Sequence, residues 1–205
     1  MRRTWRTAVV AAAIALAGCA SVEKPASGIP YLEPARVPIT SFRITGNEYR
    51  FEKEGLVVVA AYLSEKGLDD YYSGQGLTNP FTVLYPFLRP TVFVVRIENH
   101  TKKMVYLNPS MSGMVDNNGK PYVNRDLTDF YPYLGDDEER RARMGALQVT
   151  LYDTQLKLSP GNASERLLAF DAMGGELKGV KLILRDLYVG DLPLDIPFAF
   201  DCRYR

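Results

Sequence analysis

The final eight residues constrain the fold more than any other stretch. Phe198, Phe200, Cys202 and Tyr204 alternate with Ala199, Asp201, Arg203 and Arg205, the two-residue period of a strand with one buried face. Short runs rich in Val, Ile, Tyr and Phe recur from residue 41 onward between clusters of Gly, Pro, Asn and Asp. That spacing predicts an all-β sandwich. The candidate strands are Phe42–Thr45, Leu56–Leu63, Thr91–Glu98, Met104–Asn108, Met111–Asp116, Pro121–Asn124, Gln155–Leu158, Arg166–Phe170, Gly179–Tyr188 and Ile196–Arg203. Turn chemistry predicts a hairpin through Asn99-His100-Thr101-Lys102 and another through Asp116-Asn117-Asn118-Gly119.

Two stretches exceed a minimal sandwich. Residues 64–90 read as a loop-rich segment. Residues 127–146 read as a short helical insertion: Asp136, Asp137 and Glu139 precede Arg140, Arg141 and Arg143 at i,i+4 spacing, which suits the helix dipole. The expectation is a solvated helix closing one end of the sandwich. Tyr71, Tyr72, Tyr85 and Phe87 fall in the first stretch, and Phe130, Tyr131 and Tyr133 in the second. Most should pack beneath long loops. If the two stretches converge, these rings become candidate binding residues, an aromatic patch that docks a peptide, glycan or envelope protein.

The N-terminus carries Arg2, Arg3 and Arg6, then an uncharged apolar run from Ala8 to Ala17, the layout of a secretory signal. The run is shorter than the roughly 20 apolar residues a membrane-spanning helix needs. Leu16-Ala17-Gly18-Cys19 ends it, and with this lipobox the leader resembles those of bacterial lipoproteins. The resemblance covers the leader alone. It implies removal of signal residues 1–18, lipidation of Cys19 and a membrane partner engaged through an N-terminal lipid anchor, which two or more acyl chains hold stably at about 0.8 kcal/mol per buried methylene. Ala20 and Ser21 follow in place of an aspartate, which in the Gram-negative sorting scheme points to the periplasmic face of the outer membrane. A Gram-positive cell surface is the alternative.

Residues 19–40 contain Pro25, Pro30, Pro34 and Pro38 and read as an extended tether, long enough to reach roughly 60 Å at about 3.3 Å per residue. Residues 41–205 then form one β-sandwich domain of ordinary size. Loss of Arg2, Arg3 and Arg6 with the leader leaves 22 basic residues against 24 acidic, so no net field favours nucleic acid. With Cys19 lipidated, Cys202 has no disulfide partner, and the core must carry the fold in an oxidising compartment.

Catalytic material is sparse. His100 is the one histidine, placed in a turn without the companions a zinc site needs. No nucleophile elbow, S-x-x-K, H-E-x-x-H or phosphate-cradling glycine loop occurs. Cys202 belongs to an apolar strand face, where packing is its expected role. Asp116-Asn117-Asn118-Gly119 lacks the further acidic ligands of a calcium loop. Asp69-Asp70 beside Tyr71-Tyr72 is the best remaining acid, but a glycosidase also needs a second carboxylate across a cleft. The expectation is therefore no catalytic residue, no metal and no cofactor.

A second resemblance rests on "RIENHT", "VYLNPS", "DNNGKPY" and "LKLSPGNASERLLAFD" in that order. Residues 91–205 are similar to telokin-type, immunoglobulin-like domains of secreted and lipid-anchored bacterial proteins of uncharacterised function. The resemblance implies an immunoglobulin-like β-sandwich, with Pro160-Gly161 turning into a strand of the second sheet, and implies no active site. The leading expectation is a non-enzymatic, lipid-anchored periplasmic binding or assembly module with an envelope protein partner. The alternatives are a cell-wall glycan hydrolase and a structural accessory subunit of an envelope complex. Cys19→Ser should abolish incorporation of radiolabelled palmitate and release a folded domain from the membrane fraction; palmitate labelling retained in that variant would remove the anchor.

Overall fold

The computed structural model describes residues 30–36, 40–85 and 87–204. The leader, Cys19 and the first part of the tether lie outside the described residues. In chain order the strands are β1 Pro30–Pro34, β2 Phe42–Thr45, β3 Glu48–Lys53, β4 Leu56–Leu63, β5 Thr91–Asn99, β6 Val105–Leu107, β7 Gly113–Asp116, β8 Pro121–Tyr122, β9 Asn124–Arg125, β10 Leu156–Leu158, β11 Ala163–Phe170, β12 Gly179–Val189 and β13 Leu192–Tyr204. The helices are α1 Glu65–Gly74, α2 Phe81–Leu84, α3 Leu127–Phe130 and α4 Arg140–Thr150. None of them is long and apolar enough to cross a membrane.

The strands form two antiparallel sheets packed as a sandwich. One runs β1-β13-β12-β6-β10, with β7 on β12 and β8 on β7; the other runs β2-β3-β4-β5-β11-β9. The predicted alternation of the C-terminal strand holds, since Phe198, Phe200 and Cys202 all point inward and are buried. They meet Tyr49 and Phe51 of β3 and Phe93, Val95 and Ile97 of β5. The Phe93 and Phe200 rings lie 5.1 Å apart and those of Tyr49 and Phe198 lie 5.7 Å apart, contacts that add about 0.5–1.5 kcal/mol each beyond the area they bury.

The second sheet is covered on its outer face as well. Leu68 and Tyr72 of α1, Phe81 and Leu84 of α2, and Phe130 of α3 join Ala146 and Leu147 of α4 in a second apolar cluster against Val92, Leu167 and Ala169. This explains β4, whose run from Leu56 to Ala61 is buried without alternation, as a strand with two covered faces must be. Farther along the same face the cover is ionic. Val57 and Val59 stay buried with Glu52, Glu98, Arg50 and Arg96 as their neighbours in register. Arg96 reaches Glu98 at 3.0 Å and Glu165 at 3.8 Å.

Several expectations need correction. Residues 64–90 are not mainly loop: Ser64 caps α1 by accepting the Gly67 amide at 3.2 Å, and Leu68 and Tyr72, one turn apart, face the second core. The insertion helix begins at Arg140 rather than Asp136 and is not a solvated one. Asp136 with Arg140 and Glu139 with Arg143 pair as expected, but Asp137 turns to Arg143 at 2.8 Å, because residues 135–139 curl back over the helix start. The Arg143 side chain is only 7% exposed and also donates to the Leu134 carbonyl at 3.0 Å.

The sandwich also begins earlier than residue 41. β1, taken as tether, pairs with β13 from Pro30↔Tyr204 to Pro34↔Phe200 and places Leu32 in the core. Its prolines are tolerated because an edge strand has one side free of ladder bonds. β3 was not foreseen, although Tyr49 and Phe51 alternate with Arg50 and Glu52 in the usual way. Both Asp116-Asn117-Asn118-Gly119 and Pro160-Gly161 turn as expected, the first joining β7 to β8 and the second leading into β11 of the second sheet.

Asn99-His100-Thr101-Lys102 is not a hairpin turn. β4 and β11 occupy both edges of β5, so no edge is left for β6, and the chain crosses to the other sheet. Asn99, fully buried, holds that crossing. Its amide donates to the carbonyls of Lys103 at 2.8 Å and Leu158 at 2.9 Å, and its oxygen accepts from the Thr101 amide at 3.0 Å and hydroxyl at 2.7 Å. Asn99→Ala, which strands these buried groups, should cost about 2–4 kcal/mol in urea denaturation, against under about 0.5 kcal/mol for exposed Asn162→Ala; equal effects would contradict this role.

Candidate functional site

The aromatic stretches do converge, but as packing. Tyr72 and Phe130 are fully buried, Phe81 and Phe130 meet edge to face at 5.8 Å, and the Tyr72 hydroxyl lies 2.8 Å from Thr150 Oγ1. Tyr71, Tyr85 and Tyr131 are half-buried against the same cluster. Phe87 is 75% exposed and Tyr133 38%. A seven-ring docking patch is therefore not formed, because the outer face of the second sheet takes up most of these rings as its cover.

The residues with chemical potential are engaged locally. His100 Nε2 lies 3.0 Å from Glu98 Oε2, and that hydrogen bond, outweighing partial burial and helped by the charges of Arg96 and Arg50, holds the Glu98 carboxyl below its ordinary range. Cys202 is buried and its thiol is pushed up by desolvation. It lies ten strand residues beyond Leu192, which lines a hollow together with His100, so thiol and imidazole sit roughly 30 Å apart along the sheet. Asp70 pairs with Lys66 at 2.7 Å, and Asp69 accepts from Asn79 Nδ2 at 2.6 Å. Asp116 accepts the amides of Asn118 at 2.8 Å and Lys120 at 3.0 Å and the Tyr122 hydroxyl at 3.1 Å. Burial pulls its carboxyl upward, but these donors win and it titrates below the usual aspartate range. Its oxygens are thus committed to the turn. Among the described residues no group of three or more His, Cys, Asp or Glu is placed to hold a metal ion.

A concavity of about 620 Å³, more apolar than one of about 690 Å³ beside Glu33, Phe42 and Tyr49, opens at the end of the sandwich where the chain enters. Strand ends build it. Tyr31 comes from β1, Tyr62 from the C-terminal end of β4, Glu65 from the first turn of α1, and Tyr85 and Arg89 from the approach to β5, with Met173 also lining it. Tyr62 also stacks edge to face on Phe93 at 6.1 Å, tying the groove wall to the central core. Burial, with the charges of Cys202 and Glu65, pushes the Tyr62 hydroxyl up to about 12. Burial and the Glu65 charge also raise Tyr85.

The groove is close to electrically balanced. Lys66 on its rim is tied to Asp70, which leaves Glu65 and Arg89 as its free charges; among the described residues neither has a carboxylate or cation within ion-pair distance. The arrangement offers ring faces, two raised phenol donors, one acceptor and one cation; the Ser64 and Thr91 hydroxyls that also line it are taken up by the Gly67 amide and the Asp171 carbonyl, and among the described lining residues Glu65 is the one carboxylate. Of the expected binding residues only Tyr85 lines this groove. Tyr31, Tyr62 and Arg89 were missed, and the signal that reaches them, an aromatic at each of several strand ends, needs the strand order before it becomes a site.

No family model matches the chain, and no curated protein matches it. Among solved structures, that of the yjhA protein from Bacillus subtilis aligns with a TM-score of 0.40 and 9% identity, covering 72% of this chain and 93% of that one.

Proposed function

We propose that the chain is a non-enzymatic, lipid-anchored binding module of the bacterial cell envelope, held on the periplasmic face of the outer membrane through Cys19. The observation that carries this reading is the groove of about 620 Å³ lined by Tyr31, Tyr62 and Tyr85 beside the point where the anchored segment joins the sandwich. That volume lies within the range of small-ligand sites, whose lining is mostly apolar with a few polar groups to set orientation.

The lining favours an uncharged sugar of an envelope glycan. Tyrosine presents a flat apolar face with a polar tip, which matches the alternating faces and hydroxyl rim of a pyranose ring. Glu65 and Arg89 supply one acceptor and one donor to ring hydroxyls, and their opposite charges leave no net field to attract an ion. Anchor and groove together would link the membrane to the wall. Chitotriose, a neutral N-acetylated sugar, should bind the full-length chain in isothermal titration calorimetry while maltotriose binds more weakly. Tyr62→Ala should weaken chitotriose about tenfold, the loss of one aromatic contact of about 1.4 kcal/mol. Equal affinity in that variant, or no binding of either sugar, would remove the reading.

A further inference from the structure

The opposite end of the sandwich is assembled from turns that lock onto one another. The β3–β4 turn, Glu54-Gly55, has φ of +49° and +86°, the two-residue hairpin geometry that requires glycine. The His100 amide donates to the Gly55 carbonyl at 2.8 Å, and a side chain at Gly55 would come 3.1 Å from the His100 carbonyl oxygen. On the other side, the Gly190 amide donates to the Met104 carbonyl at 2.8 Å. A Cβ at Gly190 would lie 2.8 Å from Lys103 Cδ, so the β12–β13 turn rests against that lysine's stem. Asn99 closes the set from beneath, its carbonyl accepting the Gly161 amide at 2.7 Å.

These turns present a hollow of about 320 Å³. Lys53, Lys102 and Lys103 ring it and outnumber Glu54, the one carboxylate among its described lining residues, and Val189, Leu192 and Leu194 line its apolar side, with Leu192 48% exposed. Among the described residues no carboxylate lies within ion-pair distance of any of the three ammonium groups, while nearby Glu98 is taken by Arg96 and His100. The chain brings these lysines together from two separate turns, so a count of charge along the sequence does not reveal them.

We infer that this end is a second, independent docking site for an acidic peptide segment of a partner protein carrying an aliphatic side chain between two carboxylates. The aliphatic group enters the leucine-lined side of the hollow and the carboxylates meet Lys53 and Lys102. A concave site of this volume holds one side chain and its flanking backbone, a shape a flat bilayer does not offer. It also lies at the far end of strands roughly 30 Å long from the point where the anchored segment enters. Because the lysines stem from interlocked turns, the backbone needs little ordering on binding, and the cost falls on the lysine side chains.

Fluorescence anisotropy on the full-length chain tests this with a labelled Gly-Glu-Leu-Glu-Gly peptide, its Gln-for-Glu counterpart and phosphatidylglycerol vesicles. The Glu peptide should bind, lose about tenfold in affinity in Lys53→Glu/Lys102→Glu, and weaken several-fold as salt rises from about 50 to about 300 mM. Leu192→Ser should weaken it too, whereas Tyr62→Ala at the other end should leave it unchanged, which separates this site from the sugar groove. Equal binding of the Gln peptide, unchanged affinity in the charge-reversed variant, or a loss in Tyr62→Ala would overturn the proposal. So would a vesicle affinity that falls in the charge-reversed variant while the wild-type chain ignores the peptide.

Discussion

Everything in this molecule follows from a six-stranded sheet that has to be covered twice. Its inner face meets the other sheet through Phe93, Val95 and Ile97. Its outer face carries Val92, Leu167 and Ala169, which water would otherwise wet at about 25 cal/mol per Å² of apolar surface. Four helices, three of them from the two stretches that exceed a minimal sandwich and one spanning their end, supply that second cover. They are part of the folding core, with Tyr72 and Phe130 as buried as any residue between the sheets.

That requirement decides where function is left to sit. Helices on one part of its outer face and the Arg96, Glu98 and Glu165 cluster on the rest leave neither face of the six-stranded sheet bare, while the outer face of the other sheet is wet, with Lys181 and Arg185 of β12 exposed. The two proposed sites lie at the ends. At the entry end, strand termini splay around a balanced aromatic groove; at the other, interlocked turns hold unpaired lysines over a small apolar floor. Loops fixed on a rigid scaffold are where binding residues ordinarily gather, and here the fixing is explicit in the four hydrogen bonds of buried Asn99.

The strand pattern was legible wherever one face is apolar and the other wet, as in β13, and also in the apolar run of β4, whose burial on both faces comes from the cover laid over its sheet. What failed was information that lives between elements. Asn99 to Lys102 looks like a hairpin turn, and only the occupation of both β5 edges shows that the chain must cross over. Pro30 and Pro34 look like tether, and only pairing with β13 reveals an edge strand. Whether the aromatic stretches converge was open from the sequence; they meet, yet Tyr72 and Phe130 went to the core, and the groove drew Tyr31 and Tyr62 from strands instead. Lys53 and Lys102 stand far apart in a chain of nearly balanced charge, so their meeting is a product of topology.

Native-state hydrogen exchange tests the double-cover account most directly. The amides of Leu68, Tyr72 and Leu147 in the helices should open with the same free energy as those of Val58 and Val95 in the central strands, within about 1 kcal/mol, because one cooperative unit contains both. Helices that exchange several kcal/mol more easily, while β4 and β5 keep their full protection, would show an appended insertion on a self-sufficient sandwich and would contradict the account.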